Sequence, residues 1–160
     1  MQKTFTTRFI AQAGIIAAIY VALVLLFAPI SFNVIQFRIA EALAILPYFT
    51  PAGIPGVTIG CLIGNLIGMG EPLDITFGTL ATLIGAFGSY ALRRNKWLVP
   101  IPPILSNTII IPWVLRFAYG VPDAIPYLML TVGIGEVLAI YVLGMILLLT
   151  LERLPKKYFR

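Results

Sequence analysis

The chain has 160 residues, 60% of them hydrophobic and only 11% charged, with a net charge of +5 and a mean hydropathy of +1.01. Soluble domains average roughly 45–50% apolar and about 25% charged residues, so this chain lacks the charge to cover a water-facing surface, and a soluble enzyme is excluded. With no histidine, a single cysteine and no G-x-x-x-x-G-K-[ST] run, it also lacks the means for histidine catalysis, an internal disulfide, a Cys/His metal site or a phosphate-cradling loop.

Apolar runs predict six membrane helices in chain order, over 9–28, 32–49, 54–68, 73–92, 98–118 and 124–151, joined by short turns into a single integral membrane domain, 1–160. The opening MQKTFTTRF has no charged-then-apolar cleavage pattern, so the first span is expected to stay in the membrane. That span reads AQAGIIAAIYVALVLL. It carries Ala13 and Ala17 four apart, with Gly14, Ala18 and Ala22 on an adjoining stripe. Small residues at spacing four make a flat face that another helix can approach closely. The second span holds Arg38 and Glu41. The third repeats the small-residue device with Gly56, Gly60, Gly64 and Gly68, which predicts close packing on a neighbouring span, while Cys61 reads as an apolar filler. The fourth is plainly apolar. The fifth holds Asn107, Trp113 and Arg116, and the sixth holds Glu136.

Nine of the eleven basic residues fall in three clusters: Lys3 and Arg8; Arg93, Arg94 and Lys96; Arg153, Lys156, Lys157 and Arg160. Six spans place all three clusters on one side, which the positive-inside rule makes cytoplasmic, together with both termini. Glu71, Asp74 and Asp123 then belong to the outer turns. The basic residues therefore report topology. They form no continuous stripe of the kind that binds nucleic acid.

Few polar side chains remain at depth. Glu41 lies nine residues into its span, roughly 13 Å at 1.5 Å per residue and near the middle of a ~30 Å core. Asn65, Asn107 and Glu136 count out to similar depths. Ionisable groups there are costly and normally line an interior site or pathway. The candidate ligand-binding set is Glu41, Glu136, Asn65, Asn107, Trp113 and Arg38, with Trp113 as a stacking surface for a planar ligand. Each has a plainer reading as well. Arg38 can neutralise Glu41 on one helix face, Arg116 can reach outward to headgroups, and asparagines can hold helices together.

The stretch IQFRIAEALAILPYFTPAGIPGVTIGCLIGNLIG, followed by DITFGTLATLIGA, resembles the QueT family over 35–92, and TVGIGEVLAIYVLG extends the likeness more weakly over 131–144. The resemblance implies the substrate-binding S component of an energy-coupling-factor (ECF) transporter for queuosine precursors. It implies an all-α membrane protein in the cell membrane of a prokaryote, with six transmembrane helices and cytoplasmic N- and C-termini. Its implied partners are membrane lipid, a small-molecule substrate, a transmembrane T component and two ATPase subunits, with no cofactor. In that family an Ala-xxx-Ala motif of the first helix docks on the T component. Both Ala13/Ala17 and Ala18/Ala22 fit the motif. Queuosine precursors are 7-deazaguanines with adjacent N–H donors, and some carry a cationic aminomethyl group, chemistry that Glu41 and Glu136 suit. The alternatives are an S component for another planar nutrient and a self-contained proton-coupled transporter.

Overall fold

The computed structural model describes residues 6–28, 37–68 and 70–155, all helices and turns. Six helical stretches follow one another: α1 (Thr7–Leu26), α2 (Ile39–Tyr48), α3 (Gly53–Ile67), α4 (74–91), α5 (Ile101–Phe117) and α6 (Ile125–Leu151). These helices lie within three residues, at each end, of the bounds expected for the six spans, except in the second. Residues 32–36 of that span lie outside the described residues, and the remainder is short. Among the described helices, α1 and α6 are long and apolar enough to cross a membrane, while α2, α3 and α5 are shorter apolar helices.

Three stretches depart from α geometry. α2 is wound as a 3₁₀ helix throughout its ten residues. Eclipsed i,i+3 side chains then put Arg38, Glu41, Ala44 and Pro47 along one ridge. α4 opens with a π segment, Asp74–Gly78, before continuing as Thr79–Ala91. α6 runs as Ile125–Glu136, then the π segment Val137–Gly144, then Met145–Leu151.

Glycine sets the closest helix pair. A Cβ on Gly56 would lie 2.8 Å from Ile16 Cβ, on Gly60 2.6 Å from Tyr20 Cβ, and on Gly64 3.1 Å from Val24 Cγ2. The α3 glycines are thus a groove that receives the α1 ridge Ile16–Tyr20–Val24. Gly68 ends the helix instead of extending the groove. Similarly, Gly88 and Gly85 of α4 admit Pro102 and Pro103 at the start of α5. α1 therefore packs on α3, α3 on α4, α4 on α5 and α5 on α6. The 3₁₀ helix α2 lies inside this arc, touching α1, α3, α4 and the π segment of α6.

The exterior is apolar, with Ile10, Leu26, Phe87, Leu130 and Ile146 all exposed. So much exposed large side chain marks a membrane-facing surface. At one end, Tyr48 of α2 and Lys96 of the α4–α5 turn donate to the Glu152 carboxylate beyond α6, at 2.7 and 2.9 Å. The Thr50 hydroxyl donates to Gln12 Oε1 of α1 at 3.1 Å. The end of α2, the start of α1, the α4–α5 turn and the end of α6 thereby share one face. Glu71, Tyr119 and the α5–α6 turn occupy the opposite end.

Candidate functional site

Within this apolar shell, polar side chains from all six helices meet in one buried cluster. Glu41, 0% exposed, accepts a hydrogen bond at Oε1 from the Tyr20 hydroxyl of α1, and its Oε2 has no hydrogen-bond partner. Arg38, one 3₁₀ turn before Glu41, donates through Nη2 to Asn65 Oδ1 on α3. The Asn65 amide nitrogen faces the Asp74 carbonyl oxygen at 3.5 Å and Cys61 Sγ at 3.6 Å, and Thr82 of α4 donates to the same sulfur at 3.3 Å. Across the bundle, Asn107 Nδ2 of α5 donates to Glu136 Oε2 of α6 at 3.0 Å. The two glutamates are close enough to feel each other's charge, and Arg38 attracts both Glu41 and Asp74.

Five of the candidate residues are therefore brought together: Arg38, Glu41, Asn65, Asn107 and Glu136 are each less than 5% exposed and share one interior. Trp113 is not among them. It is 48% exposed and stacks on Phe117, ring centroids 6.2 Å apart, over an apolar groove lined by Leu73, Phe77 and Ile109. Arg116 also stays outside. Its Nη1 donates to the carbonyls of Val121, Pro122 and Asp123, at 3.4, 2.6 and 3.2 Å, and closes the α5–α6 turn. On α1, Ala13 and Ala17 turn inward against α3. Ala18 and Ala22 are exposed, and nothing lies within 4 Å of where a Cβ on Gly14 would stand.

Two members of the cluster were not anticipated. Tyr20 is wholly buried. A tyrosine hydroxyl on the packed face of a membrane helix needs a partner, and that requirement was the available signal. Asp74, expected in an outer turn, is instead 1% exposed, which corrects the assignment. Its burial follows from tertiary contacts. The Tyr119 hydroxyl donates to Oδ2 at 2.9 Å while accepting the Glu71 N–H at 3.3 Å, and Arg38 lies near. Tyr119 sits in the turn beyond α5, where partial burial and then the Asp74 charge push its hydroxyl up to about 12, so it remains a donor at neutral pH.

Each buried acid lies at a non-α winding: Glu41 within the 3₁₀ helix, Asp74 opening one π segment, Glu136 directly before the other. Such windings re-aim side chains and recur at functional sites. Two carboxylate oxygens of the cluster, Glu41 Oε2 and Asp74 Oδ1, are buried without a hydrogen-bond partner.

Residues 10–153, which include every residue of the cluster, match the family described as QueT transporter. The chain belongs to the QueT transporter family. It is 37% identical over 84 residues to a protein of Lactococcus lactis subsp. cremoris (strain MG1363) named queuosine precursor transporter QueT. That match covers 51% of this chain and 49% of the relative, so it spans about half the length of the curated protein. No solved structure matches.

Proposed function

We propose that this QueT-family chain is the substrate-capture S component of an ECF importer in a prokaryotic cell membrane, binding a queuosine precursor of the 7-deazaguanine type. In this reading it crosses the membrane six times with both termini in the cytoplasm. The shared face of Gln12, Tyr48, Lys96 and Glu152 supports that topology. The observation that carries the ligand assignment is the buried cluster, above all Glu41, whose Oε1 is held by Tyr20 while Oε2 is unpartnered. An acceptor oxygen left without a donor in an apolar interior costs about 1–3 kcal/mol, a cost that a ligand N–H removes.

The base enters from the Tyr119 end, and Glu41 and Glu136 receive the N–H groups of its guanine-type edge. Asn107 fixes Glu136 through Oε2, and Asn65, held by Arg38, meets the remaining polar edge. Because each acceptor is positioned before the ligand arrives, little side-chain order is lost on binding.

Partner subunits, a transmembrane T component and two ATPases, supply the energy. The exposed Gly14–Ala18–Ala22 stripe of α1 is their docking face, since Ala13 and Ala17 are already committed to α3. Co-expression tests this division. The chain should bring down a T subunit and ATPases, and uptake of the precursor should stop when the ATPase lysines are replaced. Uptake by the chain alone in proton-tight vesicles would overturn the reading in favour of a proton-coupled transporter.

A further inference from the structure

We infer that Asp74 is the specificity-determining residue for a cationic side arm on the ligand, its unpartnered Oδ1 accepting an N–H of a protonated primary amine. The inference rests on the reading of the cluster as a ligand site and deepens it.

Asp74 is 1% exposed, and its two oxygens are treated differently. Oδ2 is tied by the Tyr119 hydroxyl at 2.9 Å, and that hydroxyl is itself fixed by the Glu71 N–H. Oδ1 is buried with no hydrogen-bond partner. The carboxylate is therefore oriented by one oxygen and open at the other.

Oδ1 stands close against a glycine. A Cβ on Gly78 would stand 3.0 Å from Asp74 Oδ1, 3.3 Å from Asn65 Nδ2 and 3.8 Å from Ile111 Cδ1. Gly78 is in right-handed helical conformation, φ −64° and ψ −44°, so its backbone makes no demand for glycine. What glycine provides there is close approach: the Asp74 carboxylate and the Asn65 amide stand where a methyl would press on both.

Charge selects the occupant. Glu41, Asp74 and Glu136 share the buried interior with one guanidinium, Arg38, the only buried cationic side chain among the described residues. Ionised carboxylates without counter-charge are costly away from water. A ligand that brings a positive charge balances the site and makes a charge-assisted hydrogen bond, roughly twice as strong as a neutral one. Position favours Asp74 over the glutamates for this contact. It is the acid joined to the half-exposed Tyr119, at the end of the cluster nearest the surface. A base entering with its guanine-type edge toward Glu41 and Glu136 trails the substituent of its five-membered ring toward that end.

The test is calorimetric titration of the purified full chain with three probes: 7-aminomethyl-7-deazaguanine, its nitrile counterpart and unsubstituted 7-deazaguanine. Asp74→Asn keeps the shape and an acceptor for Tyr119 but removes the charge. It should weaken the aminomethyl probe by roughly 10- to 100-fold, as expected for a hydrogen bond between charged groups, and leave the other two nearly unchanged. Gly78→Ala, compatible with the helix, presses on both Asp74 Oδ1 and Asn65 Nδ2 and should weaken the aminomethyl probe more than the other two. Equal weakening of all three probes by Asp74→Asn would make Asp74 a structural residue and overturn the inference. So would wild-type discrimination in both variants. If wild-type protein binds none of the probes, the ligand reading itself fails, and this assignment falls with it.

Discussion

Gly60→Ala is the smallest change that links helix packing to the site. The added methyl would stand 2.6 Å from Tyr20 Cβ, 2.9 Å from its Cγ and 3.1 Å from the Ala17 carbonyl oxygen. Carbon contacts settle near 3.5–4.0 Å, so α1 and α3 must separate by about 1 Å. Overpacking of this kind costs about 1–3 kcal/mol, whereas replacing glycine by alanine within a helix returns up to about 1 kcal/mol. The displaced side chain is the one that donates to Glu41, and a hydrogen bond to a charged group is worth about 1.5–3 kcal/mol. The sum favours a net loss of about 2 kcal/mol or more. It should be read as a lower unfolding temperature in detergent together with weaker ligand binding. Gly14→Ala on α1 is the control: with nothing within 4 Å, it should be neutral or slightly stabilising and leave affinity unchanged. Tyr20→Phe should reproduce the affinity loss with less loss of stability. A Gly60→Ala protein as stable and as tight-binding as wild type would refute the packing argument, as would equal damage from Gly14→Ala.

Trp113→Ala should alter intrinsic fluorescence while shifting ligand binding by no more than about 0.5 kcal/mol, because Trp113 stacks on Phe117 outside the cluster; a tenfold loss would place it at the ligand. The Glu152 carboxyl is held below the usual carboxylate range by hydrogen bonds from Lys96 and then Tyr48. Its contribution is therefore present at neutral pH and lost as pH falls through the lowered value. Lys96→Met should cost at most about 1 kcal/mol at neutral pH, and the gap from wild type should close in acid. For Tyr119, ultraviolet titration of wild type against Tyr119→Phe should show the missing tyrosinate at a pH of about 12. Because that value is raised, the stability it contributes is intact below the unfolded tyrosine range and is lost as pH rises through it. A missing component at the ordinary tyrosine value would contradict the Asp74–Tyr119 contact.

Helix positions were legible because lipid demands long apolar runs whatever the tertiary arrangement, and the α3 glycines announced through spacing a close contact with a neighbouring span, though not that the neighbour is α1. Depth counting also found Glu41, Asn65, Asn107 and Glu136, since a charged or amide side chain far from either surface has few places to go but inward; Arg38 stood out only through its spacing of three from Glu41. Depth does not report which face of a helix a residue occupies. Trp113 lies about a third of a turn from the ridge of Asn107, Ile111 and Val114, and so points outward. The same limit left Ala13/Ala17 and Ala18/Ala22 equivalent in sequence, although one pair is buried and the other exposed. Asp74 was missed for a different reason: its place beside Glu71 reads as a turn, and its burial depends on Tyr119, 45 residues away. The 3₁₀ and π windings left no periodic mark in the sequence.

The most direct test of the ligand assignment is calorimetric titration of the purified chain, without partner subunits, against 7-aminomethyl-7-deazaguanine in wild type, Glu41→Gln and Glu136→Gln. The account predicts tight binding by wild type and a loss of roughly tenfold or more in each variant, the worth of one hydrogen bond to a charged acceptor. Wild-type affinity in both variants would contradict it.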